Sequence, residues 1–317
     1  MTRGADGVVA LAGGVGAARF LQGLVRVIDP SSLTVIVNTG DDVELYGLYI
    51  SPDPDIVVYT LAGVVDEVKG WGFAGDTFNF MRMLERYGFK PWFKLGDMDL
   101  ATHVLRTWLL RRGFSLSYAI DFIRRRLGVS ARILPMSDDR VRTKLVTDVG
   151  MLEFQEYFVK YRTEPEVKGV VFEGIETAKP APGVLESIQE ASGIIVCPSN
   201  PIVSIAPILS VKGVRDAIRR SRAVKVAISP IVGGKTIKGP ADRMMRSLGY
   251  EPTAYGVASL YRDFLDYFIL DKVDSHMAAR IECELGVKVL AEDTVMKTMS
   301  DKVRLAKAVM EVIRGGR

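Results

Sequence analysis

Cysteine, histidine, asparagine and glutamine are all scarce in this 317-residue chain: two Cys, two His, three Asn and three Gln. Cys197 and Cys283 lie far apart in apolar contexts and form no C-x-x-C or metal-ligand pattern, so a reducing cytoplasm is expected. With only His103 and His276, and no G-x-S-x-G elbow, hydrolysis by a serine triad is excluded. No apolar run approaches the roughly 18 residues of a membrane helix. The first apolar stretch is short and broken by glycines, so no signal peptide is expected. The net charge of +4 is small, and Arg124-Arg125-Arg126 and Arg219-Arg220 read as solvated helix faces rather than nucleic-acid contacts. Low-complexity tracts and internal repeats are absent too. The shortage of amides beside many Arg, Glu and Lys is a bias found in heat-stable proteins.

What the chain does have is a strand running into a glycine turn. Val8-Val9-Ala10-Leu11-Ala12 is continuously apolar, Gly13, Gly14 and Gly16 crowd the turn, and residues 17–27 carry helical spacing. A strand, a glycine turn and a helix N-terminus together form an anion site, where free N–H groups and the helix dipole can meet a phosphate. The competing reading is a purely structural turn. Arg19 stands where a dinucleotide fingerprint has its third glycine, so a nucleotide is expected here but not obviously NAD.

Further along, residues 33–37 form a second unbroken apolar strand, which runs into Asn38-Thr39-Gly40-Asp41-Asp42. The two prolines of Ser51-Pro52-Asp53-Pro54-Asp55 predict an extended loop, with a helix over 56–68. Residues 71–128 read as mainly helical, and alternation around Asp148-Val149-Gly150 predicts a β-hairpin. Strands at 167–172, 193–197 and 223–228 then alternate with helices at 182–190 and 214–221. The expected architecture is α/β: a doubly wound, mainly parallel Rossmann-like sheet with a mainly helical insertion. Its core would comprise residues 1–70 and 165–317, and residues 71–164 would form the insertion with its hairpin.

Ligands bind such sheets at the loops following the strands. Those loops carry Gly13, Gly14 and Gly16; Asp41 and Asp42, with Asp53 and Asp55 just beyond; Pro198-Ser199-Asn200-Pro201; and Ser229 through Gly233-Gly234-Lys235-Thr236. Paired aspartates beside a phosphate site suggest Mg²⁺. Helix capping is the alternative for these acids, and for Asp55 it competes on nearly equal terms. Gly234-Lys235-Thr236 is not a Walker motif, because Ser229 and Pro230 occupy its start. In Lys94-Leu95-Gly96-Asp97-Met98-Asp99-Leu100-Ala101-Thr102-His103, a base, acids and a histidine meet, though a lone histidine is more often structural than catalytic.

Taken in order, these motifs resemble those of the 2-phospho-L-lactate transferase family (CofD/FbiA) of coenzyme F420 biosynthesis. So do Met136-Ser137-Asp138-Asp139-Arg140-Val141-Arg142-Thr143, Phe154-Gln155-Glu156-Tyr157-Phe158-Val159 and the 229–240 segment ending in Lys238-Gly239-Pro240. The likeness runs over nearly the whole chain. One departure is Val15, where many members have Thr. The resemblance implies transfer of a 2-phospholactyl or phosphoenolpyruvyl group from a guanosine diphosphate conjugate to the ribityl hydroxyl of the deazaflavin Fo, with GMP released. It also implies Mg²⁺ dependence, a homodimer, and Fo contacts at Asp55 and Lys94. On this basis Asp42 and Asp53 are assigned to Mg²⁺, and Asp42 and Asp55 to catalysis. Gly13, Gly14, Gly16, Gly233 and Gly234 are assigned to phosphate, Ser199 and Asn200 to the nucleotide, and the insertion to the acceptor site. Two readings compete: a nucleotide-sugar-binding regulatory protein of the same superfamily, and an NAD-dependent dehydrogenase, which Arg19 disfavours.

Overall fold

Strand β1 (Val8–Ala12) is buried along its whole length, and its residues alternate between two cores. Val9 and Leu11 enter the core on one face of the sheet, and Val8, Ala10 and Ala12 the core on the other. A strand covered on both faces has no polar side to show, which is why its sequence lacks a hydrophobic–polar alternation. The computed structural model describes residues 7–316. In it β1 sits inside a seven-stranded sheet in which every pairing is parallel. From one edge the order is Lys288–Glu292, Tyr267–Asp271, Val224–Ile228, Gly193–Val196, β1, β2 (Leu33–Val37) and Arg132–Pro135. Helices cover both faces, so the expected doubly wound α/β fold is what forms.

Several elements differ from expectation in ways that matter for the site. Helix α1 (Gly14–Leu24) begins inside the glycine turn rather than after it. Helix α2 (Pro52–Leu61) begins at the first proline, where a fixed φ and a missing N–H suit the first helical position. Asp53 and Asp55 therefore lie in its first turn, not in an extended loop before it. The expected helical block contains α3 (Asn79–Arg86), α4 (Asp97–Arg111) and α5 (Leu116–Arg126), and then supplies Arg132–Pro135 to the central sheet beside β2.

The hairpin forms as expected, Arg142–Thr147 pairing with Gly150–Glu153 around Asp148-Val149. Its second strand is shorter than the alternation suggests and gives way to a helical turn at Glu156–Lys160. The segment Val167–Glu173 joins this hairpin antiparallel instead of entering the parallel sheet. Its half-exposed alternation is that of a strand covered on one face only.

Close helix packing fixes the position of α1. A Cβ added at Gly23 would lie 2.3 Å from the carbonyl oxygen of Lys302, on the C-terminal helix Met299–Gly315. Lys302 Nζ also donates to Gln22 Oε1 at 2.5 Å in this contact. Gly23→Ala must push the two helices apart, and the expected cost is about 1–3 kcal/mol of stability. Urea denaturation reads it; a variant as stable as the wild type would show that the helices separate freely.

Candidate functional site

Sheet order reverses at β1: the chain moves to β2 on one side, and later to Gly193–Val196 and beyond on the other. The crevice at the C-terminal ends of these two strands is the topological switch point, where open α/β sheets bind ligands. Here the Gly13 N–H donates to Ser199 Oγ at 3.2 Å, tying the two strand-end loops together. A Cβ at Gly16 would lie 2.3 Å from the Pro198 carbonyl oxygen, and one at Gly13 would lie 2.7 Å from Asp53 Oδ2. Gly14 has φ +73°, left-handed backbone that a side chain would strain. Each of the three glycines thus has its own reason. The Gly14 amide is not free for phosphate, as the turn alone would suggest, but donates to Asp53 Oδ1 at 2.9 Å.

A cavity of about 590 Å³ opens from this junction. Its wall includes Gly13, Gly14, Gly16, Asp53, Asp55, Lys94, Ser199 and Asn200, so eight of the residues singled out from sequence meet in one place. Three do not line it. Gly233 and Gly234 have φ of +58° and +74° and turn the small hairpin Ile231–Val232/Lys235–Thr236, the pair of positive angles such a tight turn needs. The Gly233 N–H donates to Asp274. The residues after that hairpin, Thr236 to Ala241, form cavity wall in their place. Asn200 lines the cavity, but its Oδ1 accepts from the amides of Ile202 and Val203 and caps the following turn.

The third is Asp42. It is buried and accepts from Tyr49 Oη and Ser51 Oγ, both at 2.8 Å. Burial pushes its carboxyl up to about 7, against the opposing pull of Arg142. Its neighbour Asp41 is the one that faces the cavity. Asp41 Oδ1 is buried with no hydrogen-bond partner, as are the nearby hydroxyls of Thr39 and Thr143. Burial, and then repulsion from Asp53, holds the Asp41 carboxyl well above its ordinary value. Burial raises Asp53 too, although Asn38 and the Gly14 amide pull the other way. Two crowded carboxylates with an orphaned oxygen fit a hard dication, which takes oxygen ligands and relieves their repulsion. A sequence cannot say which of two adjacent aspartates points inward, and Asp41 escapes assignment as a ligand for that reason.

A second buried group flanks the first. Asp55 does not cap α2; its carboxylate pairs with Arg106 of α4. Asp99, His103 and Asp55 have ligand atoms within 4.8 Å of one another, but the charge of Asp55 is already answered by the guanidinium. Trp71, Trp92, Phe93, Phe154 and Phe158 also line the cavity. So do Arg19 and Lys238, neither with a carboxylate partner among the described residues. Burial, and then Arg19, lowers the Lys238 ammonium. The cavity lining therefore combines cations, aromatic rings and buried acids.

Raised carboxyls make a stability forecast. Asp41 and Asp42 bind protons in the folded state at pH values where the unfolded chain, titrating near 4, has released them. The metal-free protein should lose stability as pH rises from about 4 to about 7. Asp41→Asn should flatten that slope and add about 1 kcal/mol or more at pH 8, since a tenfold change in proton affinity on folding corresponds to about 1.4 kcal/mol. Urea melts in EDTA at both pH values test this, and equal slopes for variant and wild type would contradict it.

Comparison with known proteins bears on this cleft directly. The family model described as 2-phospho-L-lactate transferase CofD matches residues 8–311. A phosphoenolpyruvate transferase from Kitasatospora aureofaciens is 43% identical, covering 98% of this chain and 99% of its own. A 2-phospho-L-lactate transferase from Methanocaldococcus jannaschii is 40% identical over 96% of this chain and 97% of its own. A solved upf0052-family protein from Bacillus halodurans superposes with TM-score 0.66 at 20% identity, covering 96% of this chain and 99% of its own, a likeness of fold alone. With the family match spanning both arms of the cleft and transferases aligned from end to end, this chain belongs to the CofD family of 2-phospho-L-lactate transferases.

Proposed function

We propose that the chain transfers a 2-phospholactyl or phosphoenolpyruvyl group from its guanosine diphosphate conjugate to the ribityl hydroxyl of Fo, giving coenzyme F420-0 or its dehydro form and GMP. The observation that carries this reading is the mixed lining of the cavity. Its cations suit a diphosphate, its aromatic rings a flat deazaflavin, and its buried carboxylates a metal ion and a hydroxyl. Cavity wall from Trp71, Trp92, Phe93, Lys94, Phe154 and Phe158 supports a role for residues 71–164 in the acceptor site. The resemblance implies a homodimer, and the scarcity of cysteine a reducing cytoplasm.

In this reading Arg19 and Lys238 bind the diphosphate oxygens, and the N-terminus of α1 adds its dipole. The ribityl oxygen forms a bond to the phosphorus bearing the lactyl or enolpyruvyl ester, and the bond from that phosphorus to GMP breaks. Asp55, paired with Arg106, accepts the ribityl hydroxyl hydrogen bond, orients it and takes up its proton as the bond to phosphorus forms, and Lys94 donates to a deazaflavin oxygen. Asp41 and Asp53 would hold Mg²⁺, which supplies charge neutralisation on the diphosphate. Asp42 acts at one remove, through Tyr49 and Ser51, in shaping the turn that presents Asp41. Ser199 stands beside the nucleotide.

Mass spectrometry after incubation with Fo and each donor tests the reaction. The expected outcome is Fo gaining one phospholactyl or phosphoenolpyruvyl group together with equimolar GMP; no adduct with either donor overturns it. Asp55→Ala and Lys94→Ala should each remove a bond to a charged group, worth about 1.5–3 kcal/mol. Fo affinity would then fall roughly ten- to hundredfold. GDP affinity should stay within a few-fold of the wild type in the same titrations.

A further inference from the structure

Behind Asp55 in the cavity wall lies an ionic network in which the roles above leave Tyr59, Asp99 and His103 without work and Arg106 without a part in orienting the carboxylate. Helix α2 supplies Asp55 and Tyr59, four residues apart and so on one face. Helix α4 supplies Asp99, His103 and Arg106, likewise on one face. Arg106 is 1% exposed and grips Asp55 with both terminal nitrogens, Nη1 donating to Oδ2 at 3.0 Å and Nη2 to Oδ1. Nη1 also lies 3.4 Å from His103 Nδ1. A guanidinium only donates, so Nδ1 faces it as an acceptor. The other ring nitrogen, Nε2, is 3.4 Å from Asp99 Oδ1 and makes no hydrogen bond. Tyr59 Oη donates to that same Asp99 oxygen at 2.8 Å, which closes the circuit back to α2.

Asp55, Tyr59, Asp99 and His103 all line the cavity, whereas Arg106 stands behind them. A brace between two helices would serve as well anywhere along their contact. This one presents the anion it grips to the ligand space. The fork occupies one lone pair on each Asp55 oxygen and leaves the others to receive hydroxyl hydrogens. We propose that Arg106 and His103 are positioning residues: they fix the Asp55 carboxylate in the orientation that receives the acceptor hydroxyl. This rests on the reading that Asp55 meets the acceptor.

The test uses Arg106→Lys, which keeps the charge and loses the fork, and His103→Gln, which keeps polarity and loses the ring. Each should raise the KM and Kd for Fo about tenfold or more, the loss expected for a bond to a charged group. GDP affinity should stay within about twofold. If Arg106→Lys does not fold, the paired variant Asp55→Asn/Arg106→Gln replaces the ion pair by two neutral amides. Its expected behaviour is a restored melting temperature with Fo binding still lost. Folded Arg106→Lys and His103→Gln with wild-type Fo KM overturn the proposal. So does equal weakening of both ligands in step with melting temperature, the mark of a brace alone. Asp55→Asn measured alongside separates the two readings. Unchanged Fo affinity in that variant overturns the acceptor assignment of Asp55, whereas weakened Fo affinity with unaffected Arg106 and His103 variants overturns only the positioning.

Discussion

The Asp53 carboxylate is the junction on which the site depends. One of its oxygens accepts the Gly14 amide at the start of α1, and the other accepts Asn38 Nδ2 at the end of β2. Three elements from different parts of the chain, the β1 turn, the β2 exit and the first turn of α2, are thereby fixed to one buried anion. An unpaired buried amide or carboxylate would each cost several kilocalories per mole, so this exchange of hydrogen bonds decides how the three meet. Gly13 follows from it: a side chain there would strike that same carboxylate.

Two buried acids two residues apart are given different partners by the fold. Burial raises the Asp55 carboxyl, and the Arg106 guanidinium, which cannot lose its proton, pulls it the other way and answers its charge. Asp53 and Asp41 receive only neutral donors and repel one another. A pair left in that condition destabilises the empty protein, and it is the sort of local cost that folds retain where a ligand removes it. The difference matches the two roles proposed above: a paired carboxylate suits a hydroxyl, and an unpaired couple suits a cation.

How far the sequence foretells this follows from the kind of signal each part carries. The parallel sheet is legible because strands buried on both faces must be continuously apolar, and β1 and β2 are. Gathering of the glycine turn, Asp53, Asp55, Lys94 and Ser199 into one cavity is legible too, since loops after parallel strands share an edge. Three things are not. Adjacent residues in a turn point in opposite directions by backbone angles that composition does not encode, which hides the exchange of Asp42 for Asp41. Gly233 and Gly234 resemble a phosphate loop in one dimension, and only pairing across Ile231–Val232/Lys235–Thr236 shows a hairpin turn. Arg106 carries no motif at all. Its importance arises from meeting Asp55 across 51 positions of sequence. The spacing of Asp99, His103 and Arg106 on one helical face is the signal that could have found it.

Val167–Glu173 extends the same lesson to the architecture of the cavity. By pairing with the hairpin, this strand holds Arg142–Thr147 and Gly150–Glu153 as a small sheet apart from the central one. That sheet leads directly into Phe154, Gln155 and Phe158, which line the cavity. Phe154 and Phe158 stack with ring centroids 5.6 Å apart. Arg19 of α1 and Lys238 of the 236–241 segment line the same cavity from elements attached to the central sheet. The wall of the cavity thus draws on both sheets, so residues carried by one can change without repacking the support of the other.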